Sequence, residues 1–482
     1  MNGPIRRLAI GIFTLMGALL VAVTWFQVVR ADDLKNDPRN ARPALTERGK
    51  ERGLIVTRDG VVVASSEEQE GSRDFVRVYP EGEVFAHVVG YSSYLVGETA
   101  LEAAYSAELR SRRDLTISDM IAGILGADLR PKNLAITIDA ALQRAAFDGL
   151  SGYTGAIVAL DPRTGAVLAA VSTPSFDPTQ LLGSDAASNW ETLVTDPNRP
   201  LLDRGSQEIY APGSTFKTVV TAAALDTGVA GPGSVFPDPN VFQLPGSTAT
   251  ISNATGDVCN DGVSVTMLQG FVRSCNTVYA DLSIQVGAAD IGITAEALGW
   301  NRDLDYEWGV PNAVWLTDEL SRDDAALAQS GIGERDTRAT PLHMAMVAAA
   351  VANGGVAVSP YLVERVFDTD GETVEMHEID EMGRAMSVET AVTLTEMMER
   401  VVTEGPGRGA AVPGVRVAGK TGTATGQEGF SNPWFIGFAP VESPSIALAV
   451  LIEGSSATGG GSGGSLAAPI AARVMEVWLA GR

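Results

Sequence analysis

Two lysines in the second half of the chain could do chemistry that arginine cannot. Of the 35 Lys and Arg residues, five are lysine, and beyond residue 132 lysine occurs at positions 217 and 420. Arginine stays protonated and binds anions as a planar fork, whereas lysine can lose its proton when it is buried. Lys217 and Lys420 are therefore candidate functional residues.

Lys217 follows Ser214 by three residues in "YAPGSTFKTVVTAAAL", where Pro212-Gly213 breaks the chain and an alanine-rich helix is predicted to open at Ser214. Residues three apart share a helical face, so a desolvated amine can take the proton of a serine at the positive end of the helix dipole. The pattern predicts a Ser-Lys nucleophile. A lone S-x-x-K more often marks a capping serine and a surface lysine, but two further elements follow it.

The second element is Ser274-Cys275-Asn276, an S-x-N between two predicted helical stretches, and the third is Lys420-Thr421-Gly422-Thr423. An isolated S-x-N carries little information, because Ser and Asn favour loops and caps for local reasons. Its value lies in its position between the other two elements.

The segment "GVRVAGKTGTAT" has an alternative interpretation, because its first eight residues fit the phosphate-binding pattern G-x-x-x-x-G-K-[ST]. That loop must lead into a helix whose N-terminus holds the phosphates. The residues after Lys420, "TGTATGQEGFSNPWFIGF", contain four Gly and one Pro, which a helix does not tolerate. The sequence instead predicts an extended segment that binds a carboxylate and offers a backbone amide to an oxyanion.

Length and composition set the context of these motifs. A chain of 482 residues with 45% hydrophobic and 20% charged residues is a globular protein with room for two domains. Its formal net charge of −24 repels the phosphate backbone of nucleic acid. We therefore expect no nucleic-acid partner.

The N-terminal segment is predicted to anchor the protein in the plasma membrane as a single span. Residues 8–29 carry no charge and span about 33 Å as a helix, enough to cross a bilayer core. Arg6 and Arg7 precede the run and three aspartates follow it, which favours a cytoplasmic N-terminus and an extracytoplasmic remainder. A cleaved signal peptide is disfavoured, because the apolar run is too long and "VRAD" is a poor cleavage site.

The predicted organisation is 1–30 cytoplasmic end and anchor, 31–50 linker, 51–150 a small β-containing module and 151–482 a larger domain. Hairpin patterns open the module ("GLIVTRDGVVVASS") and the larger domain ("GAIVALDPRTGAVLAAVS"). Helical patterns dominate from Ser214 to about Asn353, and strands return in "WFIGFAP" and "SIALAVLIEG". Strands at both ends with helices between them predict an α+β layered fold whose sheet joins distant parts of the chain.

The order S-x-x-K, S-x-N, K-T-G resembles that of the penicillin-recognising serine enzymes. "LAITIDAALQRAA", "GAIVALDPRTGAVLAAVSTPSFDP" and "GIGERDTRATPLHMAMVAAAVANGG" also resemble segments of class B penicillin-binding proteins. The anchor and small module are similar to the penicillin-binding protein A type, monofunctional transpeptidases of septal or lateral wall growth. The resemblance implies a small β-rich pedestal module and a transpeptidase domain with an antiparallel sheet flanked by helices.

This resemblance implies that Ser214 attacks a D-Ala-D-Ala stem peptide with Lys217 as base, and that an amine of a neighbouring stem peptide then attacks the acyl-enzyme. Ser274 relays a proton to the leaving D-alanine, and Asn276 orients the substrate amide. The remaining site residues lie on the predicted extended segment and bind the terminal carboxylate of the substrate. They are Lys420, Thr421, Gly422 and Thr423. The amides of Ser214 and Thr423 stabilise the oxyanion.

The same resemblance implies peptidoglycan stem peptides, β-lactams and cell-wall or division membrane proteins as partners, with no cofactor. Cys259 and Cys275 lie 16 positions apart, and without a nearby His they cannot form a structural zinc site. Outside a membrane they can form a disulfide that ties the S-x-N loop to the preceding segment, and two unpaired thiols are an equal alternative.

Other enzymes and a non-enzyme remain as alternatives. A Ser-His-Asp hydrolase has the pattern G-x-S-x-G at residues 460–464, but in a low-complexity loop without a strand-to-helix elbow. A D,D-carboxypeptidase or β-lactamase shares the three motifs and uses water in place of the amine. A non-catalytic alternative is a scaffold or a drug sensor whose small module binds division partners, and a sensor could keep acylation.

Overall fold

The computed structural model describes residues 2–30, 49–69, 71, 74–110, 129–426 and 429–481. These form two compact units, Met1–Lys50 with Glu68–Val76, and Glu51–Glu67 with Arg77–Arg482. Most of the predicted linker lies outside the described residues, as does any continuation of the predicted helix beyond Arg110.

The strands are numbered in chain order as β1 Ile55–Val56, β2 Val62–Glu68, β3 Phe75–Val78, β4 Ser92–Ser93, β5 Gly97–Glu98, β6 Asn133–Ile136, β7 Gly155–Leu160, β8 Val167–Thr173, β9 Val235–Pro237, β10 Val241–Gln243, β11 Thr250–Ser252, β12 Ser264–Thr266, β13 Val356–Val358, β14 Val363–Phe367, β15 Thr373–Met376, β16 Glu381–Arg384, β17 Ala418–Thr425, β18 Ser431–Ala439 and β19 Ile446–Ile452.

The α-helices are α1 Asn2–Thr24, α2 Ala86–Val89, α3 Ala100–Ala104, α4 Ser106–Leu109, α5 Ala140–Gly149, α6 Ala186–Thr195, α7 Lys217–Thr227, α8 Met267–Val272, α9 Asn276–Val286, α10 Ala288–Ala297, α11 Thr317–Leu320, α12 Asp324–Gly331, α13 Pro341–Ala352, α14 Val388–Thr403 and α15 Ala468–Ala480.

The first helix agrees with the predicted anchor. The apolar stretch Gly3–Gln27 has a mean hydropathy of 2.2, and in the described part of the chain no other helix is long and apolar enough to cross a membrane. Its 25 residues span about 38 Å as a helix, more than a bilayer core requires. The finding supports single-pass anchoring.

The first sheet contains six strands in the order β15-β14-β6-β1-β2-β3. β1 and β2 form the antiparallel hairpin predicted from Asp59-Gly60, and β6 runs parallel to β1. β14 and β15, from residues 363–376, extend this sheet beside β6. The sequence did not predict that extension, because no local pattern specifies which distant strand fills an open sheet edge.

The second sheet is antiparallel in the order β17-β18-β19-β7-β8, which confirms the α+β prediction and the predicted β7–β8 hairpin. It joins residues 155–173 to residues 418–452. The sheet contributes residues to two hydrophobic cores. Helices α5 and α15 belong to one of these cores, and α7 and α13 belong to the other. This layering holds β17 as an edge strand beside the start of α7.

The region from Ser214 to Asn353 is less uniformly helical than predicted. Between α7 and α8 the chain forms two antiparallel pairs, β9 with β12 and β10 with β11. The prediction of mainly helix was wrong here, because the Pro and Gly residues of "GPGSVFPDPNVFQLPGS" interrupt helical hydrogen bonding and leave short extended runs.

Candidate active site

Ser214 lies in a short 3₁₀ turn, Gly213–Phe216, and α7 begins one residue later at Lys217. The helix therefore begins three residues, about one turn, after Ser214, where the sequence predicted its start. The turn is fixed from two sides, since the N–H of Gly213 donates to the Gly333 carbonyl at 2.9 Å and Trp434 Nε1 donates to the Ala211 carbonyl at 3.1 Å. The half-buried Ser214 side chain is thus carried by a firmly held backbone.

Lys217 is fully buried and points at the S-x-N loop. Its Nζ donates to the carbonyl of Ser274 and to Oδ1 of Asn276, both at 2.8 Å. Burial, followed by the nearby charge of Lys420, holds the pKa of Lys217 well below its usual value. These two acceptors occupy two N–H groups of the amine, and when the amine is neutral its lone pair remains to accept a proton.

The Ser214 hydroxyl forms no hydrogen bond within the described residues, Lys217 included. The structure thus brings Lys217 together with the S-x-N residues directly and sets Ser214 one turn before it on the same helix start. Catalytic hydrogen bonds often form only once substrate is bound, so this arrangement leaves the Ser214 hydroxyl available.

Ser274 lies between the two buried lysines. Its backbone has φ of 62°, an uncommon value for a residue other than glycine. Lys420 Nζ donates to Ser274 Oγ at 2.8 Å, and Lys217 Nζ lies 3.5 Å from the same oxygen. The hydroxyl therefore connects the two amines and can pass a proton between them.

Lys420 is also fully buried, and its Nζ makes a second hydrogen bond, to the Thr421 carbonyl at 3.0 Å. Burial lowers the pKa of Lys420 to about 7. A substrate carboxylate beside it would raise that pKa again and favour the cation. This lysine can therefore respond to the arrival of an anion.

Asn276 is the first residue of α9. Its Oδ1 accepts from Lys217, and its Nδ2 donates to the Ser252 carbonyl at 2.9 Å. Because an amide nitrogen has two N–H groups, one remains for a substrate carbonyl.

β17 presents its free edge to the Ser214 turn. The N–H of Thr425 donates to Glu334 and not to β18, so the pair of Thr425 with Ser431 has no ladder hydrogen bonds. Because such pairs alternate with hydrogen-bonded pairs, the N–H of Thr423, which lies opposite Pro433, points to the free edge as well. Gly422 has no room for a side chain, because an added Cβ would lie 2.9 Å from Thr215 Cγ2 and 3.0 Å from the Pro212 carbonyl oxygen. Glycine here lets strand and turn approach closely.

Cys259 and Cys275 form a disulfide with a Cα–Cα distance of 6.1 Å. The Cys259 side is held by buried Asp238, whose carboxylate accepts from the N–H groups of Cys259, Asn260 and Gly262. The middle residue of S-x-N is therefore tied to an anchored loop.

The residues of a Ser-His-Asp hydrolase have other roles. The Nδ1 of buried His343 pairs with Thr340 Oγ1 at 2.8 Å, and burial lowers the pKa of His343 to about 4. In the G-x-S-x-G pattern, Ser462 Oγ accepts from the Ser465 N–H as a helix cap. Neither residue is arranged for nucleophilic catalysis.

Two further residues border the site and were not singled out from the sequence. Gly333 contacts the Ser214 turn with a φ of +84°, and the neighbouring Glu334 accepts from the Thr425 N–H at 3.0 Å. The glycines of "GIGERD" were the available signal, since a Gly-x-Gly often marks a tight approach of backbones.

The family model of the penicillin binding protein transpeptidase domain matches residues 155–476, and that of the penicillin binding protein A dimerisation domain matches residues 52–133. The chain is 39% identical over 490 residues to the peptidoglycan D,D-transpeptidase PbpA of Mycolicibacterium smegmatis, with 98% of this chain and 97% of the relative covered. It is 37% identical over 497 residues to the PbpA of Mycobacterium tuberculosis, with 100% of both chains covered.

A solved structure is similar as well. Penicillin-binding protein A from M. tuberculosis, as its ceftriaxone acyl-enzyme complex, matches with a TM-score of 0.83 and 37% sequence identity. The match covers 90% of this chain and 99% of that one.

Proposed function

The chain belongs to the class B penicillin-binding proteins, and from this premise we propose that it cross-links peptidoglycan stem peptides as a D,D-transpeptidase through an acyl-enzyme on Ser214. The observation that carries the assignment of roles is that Lys217 is fully buried one turn after Ser214, with its Nζ hydrogen-bonded to the S-x-N residues. A buried neutral amine next to a serine turn is a competent base for that serine.

In the first step Lys217 takes the Ser214 proton as Oγ attacks the carbonyl of the penultimate D-alanine. The new C–O bond creates an oxyanion, for which the N–H groups of Ser214 and Thr423 are the donors. Loss of one such donor typically costs about 10²- to 10³-fold in rate. The alignment of the Thr423 N–H with the free edge of β17 supports this role.

Collapse of the intermediate breaks the C–N bond to the terminal D-alanine, whose amine needs a proton. Ser274 Oγ delivers it, since this hydroxyl lies within 3.5 Å of Lys217 Nζ, which holds the proton of Ser214. Asn276 orients the substrate amide through its remaining N–H. An amine of a second stem peptide then attacks the ester and gives one proton to Lys217. Lys217 returns this proton to Ser214 Oγ as the ester C–O bond breaks and the new amide forms.

The terminal carboxylate of the donor binds at Lys420, Thr421 and Thr423. Its negative charge raises the lowered pKa of Lys420 and so converts this lysine to the cation that holds it. β-Lactams are ligands of the same site, because their ring amide takes the place of the D-Ala-D-Ala amide.

The N-terminus faces the cytoplasm, and cell-wall or division membrane proteins are partners.

The test uses the full-length chain in detergent, a donor peptide that ends in D-Ala-D-Ala, and an amine acceptor. We expect release of D-alanine together with a new amide between donor and acceptor, both lost in Ser214→Ala. D-alanine release with hydrolysed donor as the sole product would instead indicate a D,D-carboxypeptidase.

A further inference from the structure

The free edge of β17 ends at a carboxylate that the transpeptidation steps above do not use. Glu334 Oε1 accepts from the Thr425 N–H at 3.0 Å. Thr423 and Thr425 are exposed, whereas residues 418–422 of the same strand are buried. The face of β17 that carries Thr423 and Thr425 is therefore exposed at the end of the strand where Glu334 lies.

Glu334 lies on the same edge as the oxyanion donor. Alternate residues of a strand point their N–H groups to the same side, so the N–H groups of Thr423 and Thr425 are parallel and about 7 Å apart. Gly333, the preceding residue, accepts from the N–H of Gly213, which adjoins Ser214. The carboxylate thus lies two residues along the strand from the oxyanion donor, and the residue before it contacts the nucleophile turn.

The carboxylate of Glu334 is attracted by the charge of Arg338 but forms no salt bridge with it. In the ranges that the structure describes, no Lys or Arg forms an ion pair with it. Arg338 is its cationic neighbour, and Arg338 Nη1 donates to the carbonyls of Arg335 and Thr337. Burial raises the pKa of Glu334 and hydrogen bonds from Thr425 oppose that shift. A half-buried carboxylate without an ion-pair partner attracts a cation from a ligand.

We propose that Glu334 binds the ammonium group of the acceptor and so positions the acceptor beside the acyl-enzyme. The bound ammonium loses one proton to solvent to become the attacking amine, and this amine gives a second proton to Lys217 as the new amide forms. This role rests on the proposed transpeptidase function and deepens it. As a cation, Lys420 suits the anionic end of the donor and repels an ammonium group, whereas Glu334 attracts one. Donor and acceptor are thus sorted by charge along one strand.

The test is the partition of the acyl-enzyme between amine and water in the Glu334→Gln variant. The glutamine oxygen keeps the hydrogen bond from Thr425, so the change removes charge and preserves shape. With the full-length chain, a D-Ala-D-Ala donor and Nα-acetyl-lysinamide as acceptor probe, we expect the ratio of aminolysis to hydrolysis to fall about tenfold. Acylation by benzylpenicillin should stay within about twofold, because none of the acylation steps described above uses the charge of Glu334.

The control is Glu372→Gln, which removes the same charge from an exposed turn between β14 and β15 and should leave the ratio unchanged. If Glu334→Gln does not fold, Glu334→Asp and Glu334→Asn form a pair of equal length that differs in charge, and the aspartate variant should retain the higher ratio. An unchanged ratio in an enzyme that acylates normally would overturn the role of Glu334 and leave the transpeptidase assignment intact. A wild-type chain that forms no acyl-enzyme would overturn the assignment itself.

Discussion

Replacing Gly333 by alanine tests whether the backbone around Ser214 is as tightly fixed as the structure indicates. An alanine Cβ at this position would overlap the carbonyl oxygen of Gly213, and the backbone φ is +84°. The positive φ alone costs an alanine about 1–2 kcal/mol. The overlap adds a displacement of the nucleophile turn, and a shift of about 1 Å in such a group can cost about 10²-fold in rate.

Gly354→Ala is the matched control, because Gly354 has a φ of +62° and no atom within 4 Å of an added Cβ. Both variants should lose about 1–2 kcal/mol of stability from the φ constraint, measured by thermal unfolding. Gly333→Ala alone should react with benzylpenicillin about 10²-fold more slowly than the wild type. The acylation rate is measured by intact-mass spectrometry of samples quenched at successive times. Equal acylation rates in the two variants would refute the reasoning.

Three further predictions concern the lysines and the disulfide. Lys217→Arg should reduce acylation by at least about 10³-fold, since an arginine cannot accept the serine proton, and a rate near that of the wild type would exclude Lys217 as base. Burial lowers the pKa of Lys420 to about 7 in the folded chain. Above that pH the unfolded chain binds more protons at this lysine than the folded chain does. The free energy of unfolding should therefore rise from pH 7 to 9, by up to about 1.4 kcal/mol per pH unit. Lys420→Met should lose this part of the slope in chemical denaturation. Alkylation of the denatured chain should modify Cys259 and Cys275 only after reduction, and modification without reductant would show that the two thiols are free.

The sequence predicted the parts of this protein that local patterns encode. Hairpins such as β7–β8 follow from alternation and turn residues, and the extended form of "KTGTAT" follows from its Gly and Thr content. The three motifs were found by their order, which needs no knowledge of the distances between them.

The parts that could not be predicted depend on contacts between distant segments. The hydrogen bond from Asn276 to Ser252 and the pairing of β14 with β6 have no counterpart in the local sequence. Glu334 was overlooked for the same reason, since its place beside β17 follows from the fold and not from its neighbours in the chain.

The most direct test of the central claim is the intact mass of the full-length chain after mixing with benzylpenicillin, followed by peptide mapping. The account predicts one stable adduct that maps to Ser214 and is absent in Ser214→Ala. An adduct on another residue, or one that persists in Ser214→Ala, would contradict it.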